Sequence, residues 1–130
     1  MKKLLLLSLL TSSAELFAID AYKCKVDHAK TLGPSGQLEG SNYTNRFVGL
    51  EFVVDKYNGR ITGGVSNHDA FTQPKVLDYG SGSQAFKVIT IYQGFVSVKY
   101  LYIEEFSPKK QKPFIYIESN NVINGLCVPY

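Results

Sequence analysis

The sequence has little of the chemistry that enzymes and nucleic-acid-binding proteins usually display. Its 130 residues contain no tryptophan, two cysteines and two histidines, and the formal net charge is only +3. A charge excess this small argues against a strongly basic nucleic-acid binder, and a zinc site needs three or four converging ligands. The apolar content of 45% argues against disorder, and the length fits one domain. The sequence therefore predicts a small globular domain without a metal or other cofactor.

An apolar segment near the N-terminus is too short to span a membrane. Residues 4–10 would rise only about 10 Å as a helix, against a hydrocarbon core of about 30 Å. Two lysines precede this segment and small polar residues follow it, which predicts a secretory signal peptide over residues 1–18, cleaved after Ala18 or alternatively after Ala14. Cleavage removes two lysines and one glutamate and leaves residues 19–130 with a charge of +2. We expect this periplasmic or secreted domain to be a soluble monomer that binds neither nucleic acid nor membrane.

Export determines how the two cysteines are interpreted. Cys24 and Cys127 lie near the two ends of the mature chain, and in an oxidising compartment we expect them to form a disulfide. Closing a loop of about 100 residues stabilises a fold by on the order of 4–5 kcal/mol in the chain-entropy estimate. Two free buried thiols are the alternative, whereas a metal or redox site would need much closer cysteine spacing.

No run of ten or more residues has the period of a helix, and from Phe47 onward apolar residues alternate with period two. The pattern predicts strands over residues 21–26, 46–55, 60–62, 75–79, 85–92, 95–106, 114–118 and 122–128. Asn58-Gly59 predicts a type I′ hairpin turn, residues 31–45 a long loop, and residues 69–73 a short helical turn. The predicted fold is all-β: one antiparallel barrel or sandwich of about seven to eight strands, whose first and last strands the disulfide joins.

Catalytic chemistry has few candidates. His28 and His68 each stand beside an aspartate, but neighbours on a strand point to opposite faces, so neither pair is expected to share a ligand or a proton. A hydrolase would use Glu104 or Glu105 with Glu118, provided that the carboxyl groups lie about 5–10 Å apart. The sequence contains no Gly-x-Ser-x-Gly nucleophile motif. It therefore predicts no catalytic residue, and the hydrolase is kept as an alternative.

Binding has more candidates than catalysis. Lys109, Lys110 and Lys112 form the one cluster of cations and are candidates for contacting an acidic partner; a solvated loop that shields a sheet edge is the alternative. Tyrosines in the last third of the chain are candidates for lining a site for a small apolar ligand, and a filled barrel core is the alternative. These tyrosines are Tyr100, Tyr102 and Tyr116.

Several short motifs follow one another in a characteristic order. They are Tyr22-Lys23-Cys24, Val54-Asp55-Lys56, Phe86-Lys87-Val88, Ile103-Glu104-Glu105-Phe106, Lys112-Pro113-Phe114 and Gly125-Leu126-Cys127. In this order the chain resembles a family of small secreted proteobacterial proteins of unknown function. The resemblance covers most of the mature chain and implies export, but no activity.

A second resemblance starts from residues 80–86, a Ser-Gly-rich loop that ends at an aromatic residue, and from the Tyr-x-Cys start at Tyr22. With these features the chain is similar to the periplasmic inhibitors of animal-type lysozyme, which are small disulfide-tied β-barrels. The resemblance implies that Ser81 and Ser83 contact a lysozyme. The lysine that the inhibitors carry in this motif has no clear counterpart here.

Together these features predict an exported, non-catalytic binding or interaction protein of the bacterial cell envelope. Its expected partner is an envelope protein or a small apolar ligand, and its expected binding surfaces are the loops at residues 31–45 and 107–113. A periplasmic lysozyme inhibitor and a small carboxylate-dependent hydrolase are the alternatives.

Overall fold

The computed structural model describes residues 20–94 and 97–130, which form nine strands and one short helix. The strands are β1 (Ala21–Leu32), β2 (Leu38–Glu39), β3 (Glu51–Asp55), β4 (Ile61–Gly63), β5 (Lys75–Tyr79), β6 (Phe86–Tyr92), β7 (Ser97–Ile103), β8 (Lys112–Glu118) and β9 (Asn121–Pro129). The helix α1 covers Asn42–Asn45. The expected signal peptide lies outside the described residues. Within these residues, no helix has the length and apolar character that crossing a bilayer requires.

All nine strands belong to one antiparallel sheet, which confirms the all-β prediction. The strand order is β4-β3-β1-β9-β8-β7-β6-β5, and β2 pairs with the C-terminal end of β1. Five consecutive strands, β5 to β9, pair with their neighbours in sequence because antiparallel strands need only short turns between them. The sheet curls into a half-barrel, and the first and last long strands lie side by side near its middle.

The core lies on the inner face of the curled sheet. Strand residues alternate between the two faces, so β6 buries Phe86 and Val88 while β8 buries Phe114 and Tyr116. Burial of each large apolar side chain stabilises the fold by about 1.5–3 kcal/mol. The opposite, outer face of the sheet keeps its side chains in contact with solvent, including Ile115.

The predicted disulfide is confirmed. Cys24 on β1 and Cys127 on β9 are directly opposite residues and are bonded to each other across the strand pair. Both side chains are buried in the core, and the described chain contains no free cysteine. The disulfide therefore holds together the pair of strands that lies farthest apart in sequence.

Several strand and loop boundaries differ from the prediction. Residues 46–55 do not form a single strand, since β3 begins only at Glu51. The residues before it make turns after α1, where the Phe47 N–H donates to the Thr44 carbonyl at 3.0 Å. A single strand would put Val48 on the same face as Phe52 and Val54; instead Val48 is exposed, whereas these two are buried.

The long loop expected over residues 31–45 is largely structured. β1 continues to Leu32, and β2 returns beside it. α1 then follows Ser41, whose Oγ accepts from the Thr44 N–H at 3.1 Å while Thr44 Oγ1 accepts from the Ser41 N–H at 2.9 Å. This reciprocal capping pair satisfies backbone groups at the start of the helix, and the prediction missed it because a threonine occupies the usual glutamate position.

The β3–β4 hairpin is confirmed, but its turn is wider than the predicted type I′ turn. Of Asn58 and Gly59, only Gly59 has a positive φ, of 74°. Asp55 Oδ1 accepts from the N–H groups of Tyr57 at 2.8 Å and Asn58 at 3.3 Å. The aspartate side chain thereby stabilises a longer loop, as aspartates commonly do in turns.

The helical turn predicted over residues 69–73 is also absent from the described chain. Asp69 Oδ1 accepts from the N–H groups of Phe71 at 2.8 Å and Thr72 at 2.7 Å, which fixes a tight non-helical turn. The side chain thus competes with the helix for the same backbone donors.

The connection between β4 and β5, residues 64–74, joins the two edges of the sheet. Asn67 in this connection is buried; its Nδ2 donates to the Gly59 carbonyl at 2.8 Å, and its Oδ1 accepts from the Ile61 N–H at 2.8 Å. The amide therefore occupies the edge of the sheet at the first residue of β4 and the turn before it. Covering an edge in this way removes a template for pairing with another chain.

We expect Asn67→Ala to lower the free energy of unfolding by about 2–4 kcal/mol, because it leaves two buried backbone groups unpaired at about 1–3 kcal/mol each. Urea denaturation of the oxidised protein measures this difference. Asn45→Ala is the matched control, since Asn45 is exposed and its side chain makes no hydrogen bond in the described chain. A loss no larger than that of the control would contradict the role assigned to Asn67.

Gly125 lies at an inward position of β9, opposite Val26 on β1. A Cβ at this position would overlap the carbonyl oxygen of Lys25 and lie 3.0 Å from the nitrogen of Asp27. β1 and β9 therefore approach each other closely here because residue 125 has no side chain.

We expect Gly125→Ala to destabilise the protein by at least about 3 kcal/mol, since the overlap is with backbone that can move only by disturbing the central strand pair. Gly82→Ala is the matched control, because Gly82 is exposed and an added Cβ would meet nothing within 4 Å. Thermal unfolding of both variants measures the difference. Equal midpoints for the two variants would show that the β1–β9 contact tolerates a methyl group.

Candidate functional site

A β-bulge in β1 places two polar side chains together on the outer face. The register passes from Val26 opposite Gly125 to His28 opposite Asn124, so Asp27 is an extra residue on β1. Bulges re-aim side chains that would otherwise alternate. Asp27 and His28 accordingly line the same cleft, and the expectation that these neighbours diverge is wrong for this pair.

This cleft, which we call the outer cleft, has a volume of about 410 Å³. Its floor is formed by residues of β8 and β9, and its two rims by residues of β1 and by the end of β7. The floor residues are Pro113, Ile115, Asn124 and Leu126, and the rim residues are Asp27, His28, Tyr102 and Glu104. Four neighbouring strands thus combine an aliphatic floor with polar groups at the sides.

The two carboxylates of the outer cleft stand on opposite rims. Asp27 is the extra residue of the bulge within β1, and Glu104 comes directly after the end of β7. β8 and β9 lie between them. Neither carboxylate forms an ion pair with another described residue, whereas Glu51 nearby pairs with Lys23 at 3.6 Å. Unpaired carboxylates and a tyrosine hydroxyl, that of Tyr102, can accept or donate hydrogen bonds to a ligand.

The three tyrosines predicted to line a ligand site do not lie together. Tyr102 is on the rim of the outer cleft, and Tyr100 is on the same face two residues away. Burial, and then the neighbouring Tyr102, raises the pKa of Tyr100. Tyr116 faces the core instead: its hydroxyl donates to the Ser66 carbonyl at 3.1 Å, and burial raises its pKa strongly. Tyr116 therefore serves packing rather than a surface site.

The three lysines of the predicted cluster also lie in different environments. Lys109 and Lys110 are exposed, but the Lys112 ammonium donates to the carbonyls of Glu105 at 3.0 Å and Ser107 at 2.5 Å. Lys112 thereby holds the chain between β7 and β8 in place. Only the first two lysines are free to meet a partner.

Ser81 and Ser83 lie in the exposed turn between β5 and β6. The Ser83 N–H donates to Ser81 Oγ at 3.2 Å, and the two hydroxyl oxygens are 3.4 Å apart. Contact with a lysozyme through this turn stays a prediction.

The carboxylates proposed for a hydrolase are separated by the register of β7 and β8. Glu118 is opposite Lys99, and its Oε1 lies 3.4 Å from the Lys99 ammonium. Glu104 is five residues from Lys99, which corresponds to about 17 Å along a strand. Glycoside hydrolysis needs about 5–10 Å, so Glu104 and Glu118 do not form such a pair.

Glu105 belongs to a different group of charges, at one end of the half-barrel. Its Oε1 lies 3.6 Å from the ammonium of Lys56, which is also 3.4 Å from Asp20 Oδ1 and above the Tyr22 ring. Its Oε2 is buried and has no hydrogen-bond partner. Burial raises the pKa of Glu105 and outweighs the opposite effect of Lys112. The nearby lysines therefore offset the desolvation of this carboxylate only in part.

The described residues contain no cluster of three or more His, Cys, Asp or Glu side chains able to hold a metal ion. His28 is on the rim of the outer cleft. His68 is on the β4–β5 connection, where its Nδ1 lies 3.4 Å from Asn67 Oδ1. Burial, and then the charge of Arg60, lowers the pKa of His68. The two histidines thus belong to different parts of the fold.

The prediction from sequence missed most of the outer cleft. Ile115, Asn124 and Leu126 sit in regular alternating strands, where nothing distinguishes them from other outward residues. One signal was present: a glycine inside a strand, here Gly125, often marks a bulge or a close approach of backbones.

No family model matches the chain, and no curated protein or solved structure matches it significantly. Membership of either family that the sequence resembles therefore stays a prediction. The geometry of the outer cleft carries the functional proposal.

We expect Glu105→Gln to be more stable than the unmodified protein at pH 7. Folding raises the pKa of the Glu105 carboxyl, so the folded state binds this proton more tightly than the unfolded state does. The free energy of unfolding therefore falls as the pH rises from 4.5, the ordinary pKa, through the raised pKa of the folded protein. The amide carries no charge and avoids this loss. Chemical denaturation between pH 3 and pH 8 measures the difference, which should vanish at the acid end. A variant less stable at pH 7 would mean that the Lys56 ion pair outweighs burial.

Proposed function

We propose that the chain is an exported, non-catalytic binding protein of the bacterial cell envelope and that it binds its partner in the outer cleft. The observation that carries the proposal is the β1 bulge, which brings Asp27 and His28 to the rim of an aliphatic floor. Clefts lined by apolar side chains with a few fixed polar groups are typical of binding sites.

The floor residues support this proposal because they are exposed although they are aliphatic. Ile115 is 41% exposed and Leu126 is 37% exposed, and both stand on strands whose backbones are paired on both sides. A partner that covers these side chains removes apolar area from water at about 25 cal/mol per Å². The rigid sheet beneath them needs no ordering on binding, which favours affinity.

Export is supported by the disulfide. The bond between Cys24 and Cys127 joins residues 103 positions apart and lies in the core. Disulfides of this structural kind form and persist in oxidising compartments such as the periplasm and the extracellular space.

We expect the protein to bind N-phenyl-1-naphthylamine, a neutral apolar fluorophore, saturably and at one site. Leu126→Glu should raise the dissociation constant at least about ten-fold, because a carboxylate replaces apolar contact area in the floor. Fluorescence titration of the oxidised protein measures both values.

Ile91→Glu is the matched control for this experiment. Ile91 is an exposed aliphatic residue, on β6, and does not line the outer cleft. Its variant should bind the fluorophore as the unmodified protein does. Equal weakening by both substitutions, or no saturable binding at all, would count against the outer cleft as the binding site.

A further inference from the structure

The outer cleft is the middle one of three depressions along the outer face of β9. A depression of about 240 Å³ shares Asp27 and Leu126 with it, and another of about 330 Å³ shares His28 and Asn124. The three depressions are therefore continuous. We call the whole feature the β9 groove.

The length and repeat of the β9 groove match an extended polypeptide. The groove reaches from Val128 to Val122, which is about 20 Å at 3.4 Å per strand residue. Outward side chains of β9 recur every two residues, and an extended peptide presents its own side chains to one side with the same spacing of about 6.8 Å. A segment of about six residues fits this length, and the aliphatic floor suits apolar side chains at alternate positions.

Lys23, at the Val128 end of the groove, pairs with Glu51 at 3.6 Å, and the remaining charges on the β1 side alternate in sign. Lys25 lies opposite Leu126, Lys30 lies opposite Val122, and Asp27 lies between the two lysines. None of these three charged residues forms an ion pair with another described residue. A complementary ligand therefore carries negative charge toward each end and positive charge between them.

We infer that the β9 groove binds an extended segment of a partner protein with the pattern acidic, apolar, basic, apolar, acidic. The inference rests on the proposed function, since the segment occupies the outer cleft. Residues i and i+4 of an extended chain lie about 14 Å apart. Leu126 and Val122 are also four strand residues apart on β9, so the two lengths match. Successive side chains of an extended chain point to opposite sides. With the segment lying over β9, the charged residues point toward Lys25, Asp27 and Lys30 on β1, and the apolar residues between them point toward Pro113 and Ile115 on β8.

The experiment compares two synthetic peptides, acetyl-EVKVEV-amide and its charge-inverted counterpart acetyl-KVEVKV-amide. Both have the same length and the same valine positions, and they differ in the sign of each charge, so that their net charges are −1 and +1. We expect the first to bind at least about ten-fold more tightly at low salt, since three complementary contacts replace three repulsive ones. Amide shifts of the oxidised protein in ¹H–¹⁵N NMR titrations give the affinities, and they should concentrate at Asp27, Asn124 and Leu126.

Variants of the exposed lysines test the assignment of the charges. The double substitution Lys25→Glu, Lys30→Glu should abolish or reverse the preference between the two peptides. Lys75→Glu is the matched control, since Lys75 is an exposed lysine on β5 at the edge of the sheet, and it should leave the preference unchanged.

The other outcomes distinguish the inference from the proposed function. Equal affinity for both peptides, with shifts at the groove, overturns the charge pattern. Groove shifts caused by chitohexaose but by neither peptide overturn the peptide class while leaving the outer cleft as a binding site. Absence of groove shifts with the peptides and the saccharide, together with failure of the fluorophore to bind, overturns both.

Discussion

The pairing of β1 with β9 is the contact on which the rest of the sheet depends. β2 and β3 attach to β1 and β4 attaches to β3, while the five-strand meander from β5 ends at β9. The two halves are joined into one sheet only through this pair. Its residues are distant in sequence, and bringing distant segments together has a large entropic cost. The Cys24–Cys127 disulfide lowers that cost by restricting the unfolded chain.

The half-barrel does not close into a full barrel, and side chains make contacts at its edge and at one of its ends. At the start of β4, Asn67 accepts from the Ile61 N–H and donates to the Gly59 carbonyl of the preceding turn. At one end of the half-barrel, Lys56 lies between Asp20 and Glu105 and so connects the β3–β4 loop with the end of β7. The ion pair between Lys56 and Glu105 stabilises the fold less than an unburied charge would allow, because burial disfavours the charged form of Glu105. The half-barrel thus combines a buried amide at the start of its β4 edge with an ion pair whose carboxylate is partly desolvated.

The parts of the fold that sequence predicts well are those set by local alternation. β5 is predicted to the residue, and Leu101 and Ile103 share one face of β7 as the alternating pattern indicates. The errors arise where a side chain hydrogen-bonds the backbone, as Asp55 and Asp69 do in their turns. Such bonds depend on local geometry that a pattern of apolar and polar residues does not contain.

The candidate site was harder to predict because it depends on register. Tyr102 and Tyr116 both stand in alternating strands, yet one points to the outer face and the other to the core. Which face is buried follows from the curl of the whole sheet. The position of Asp27 beside His28 requires knowing that one residue of β1 is unpaired.

The contact that stabilises the fold and the proposed binding site meet at the bulge. Gly125 lets the backbones of β1 and β9 approach where Asp27 is added, and the same register change forms one rim of the outer cleft. The cleft therefore lies over the strand pair that the disulfide holds together. A site on paired strands is pre-organised more accurately than one on a loop. Under the proposed function, the rigidity that affinity requires comes from the contact that already maintains the fold, so that no separate lid is needed.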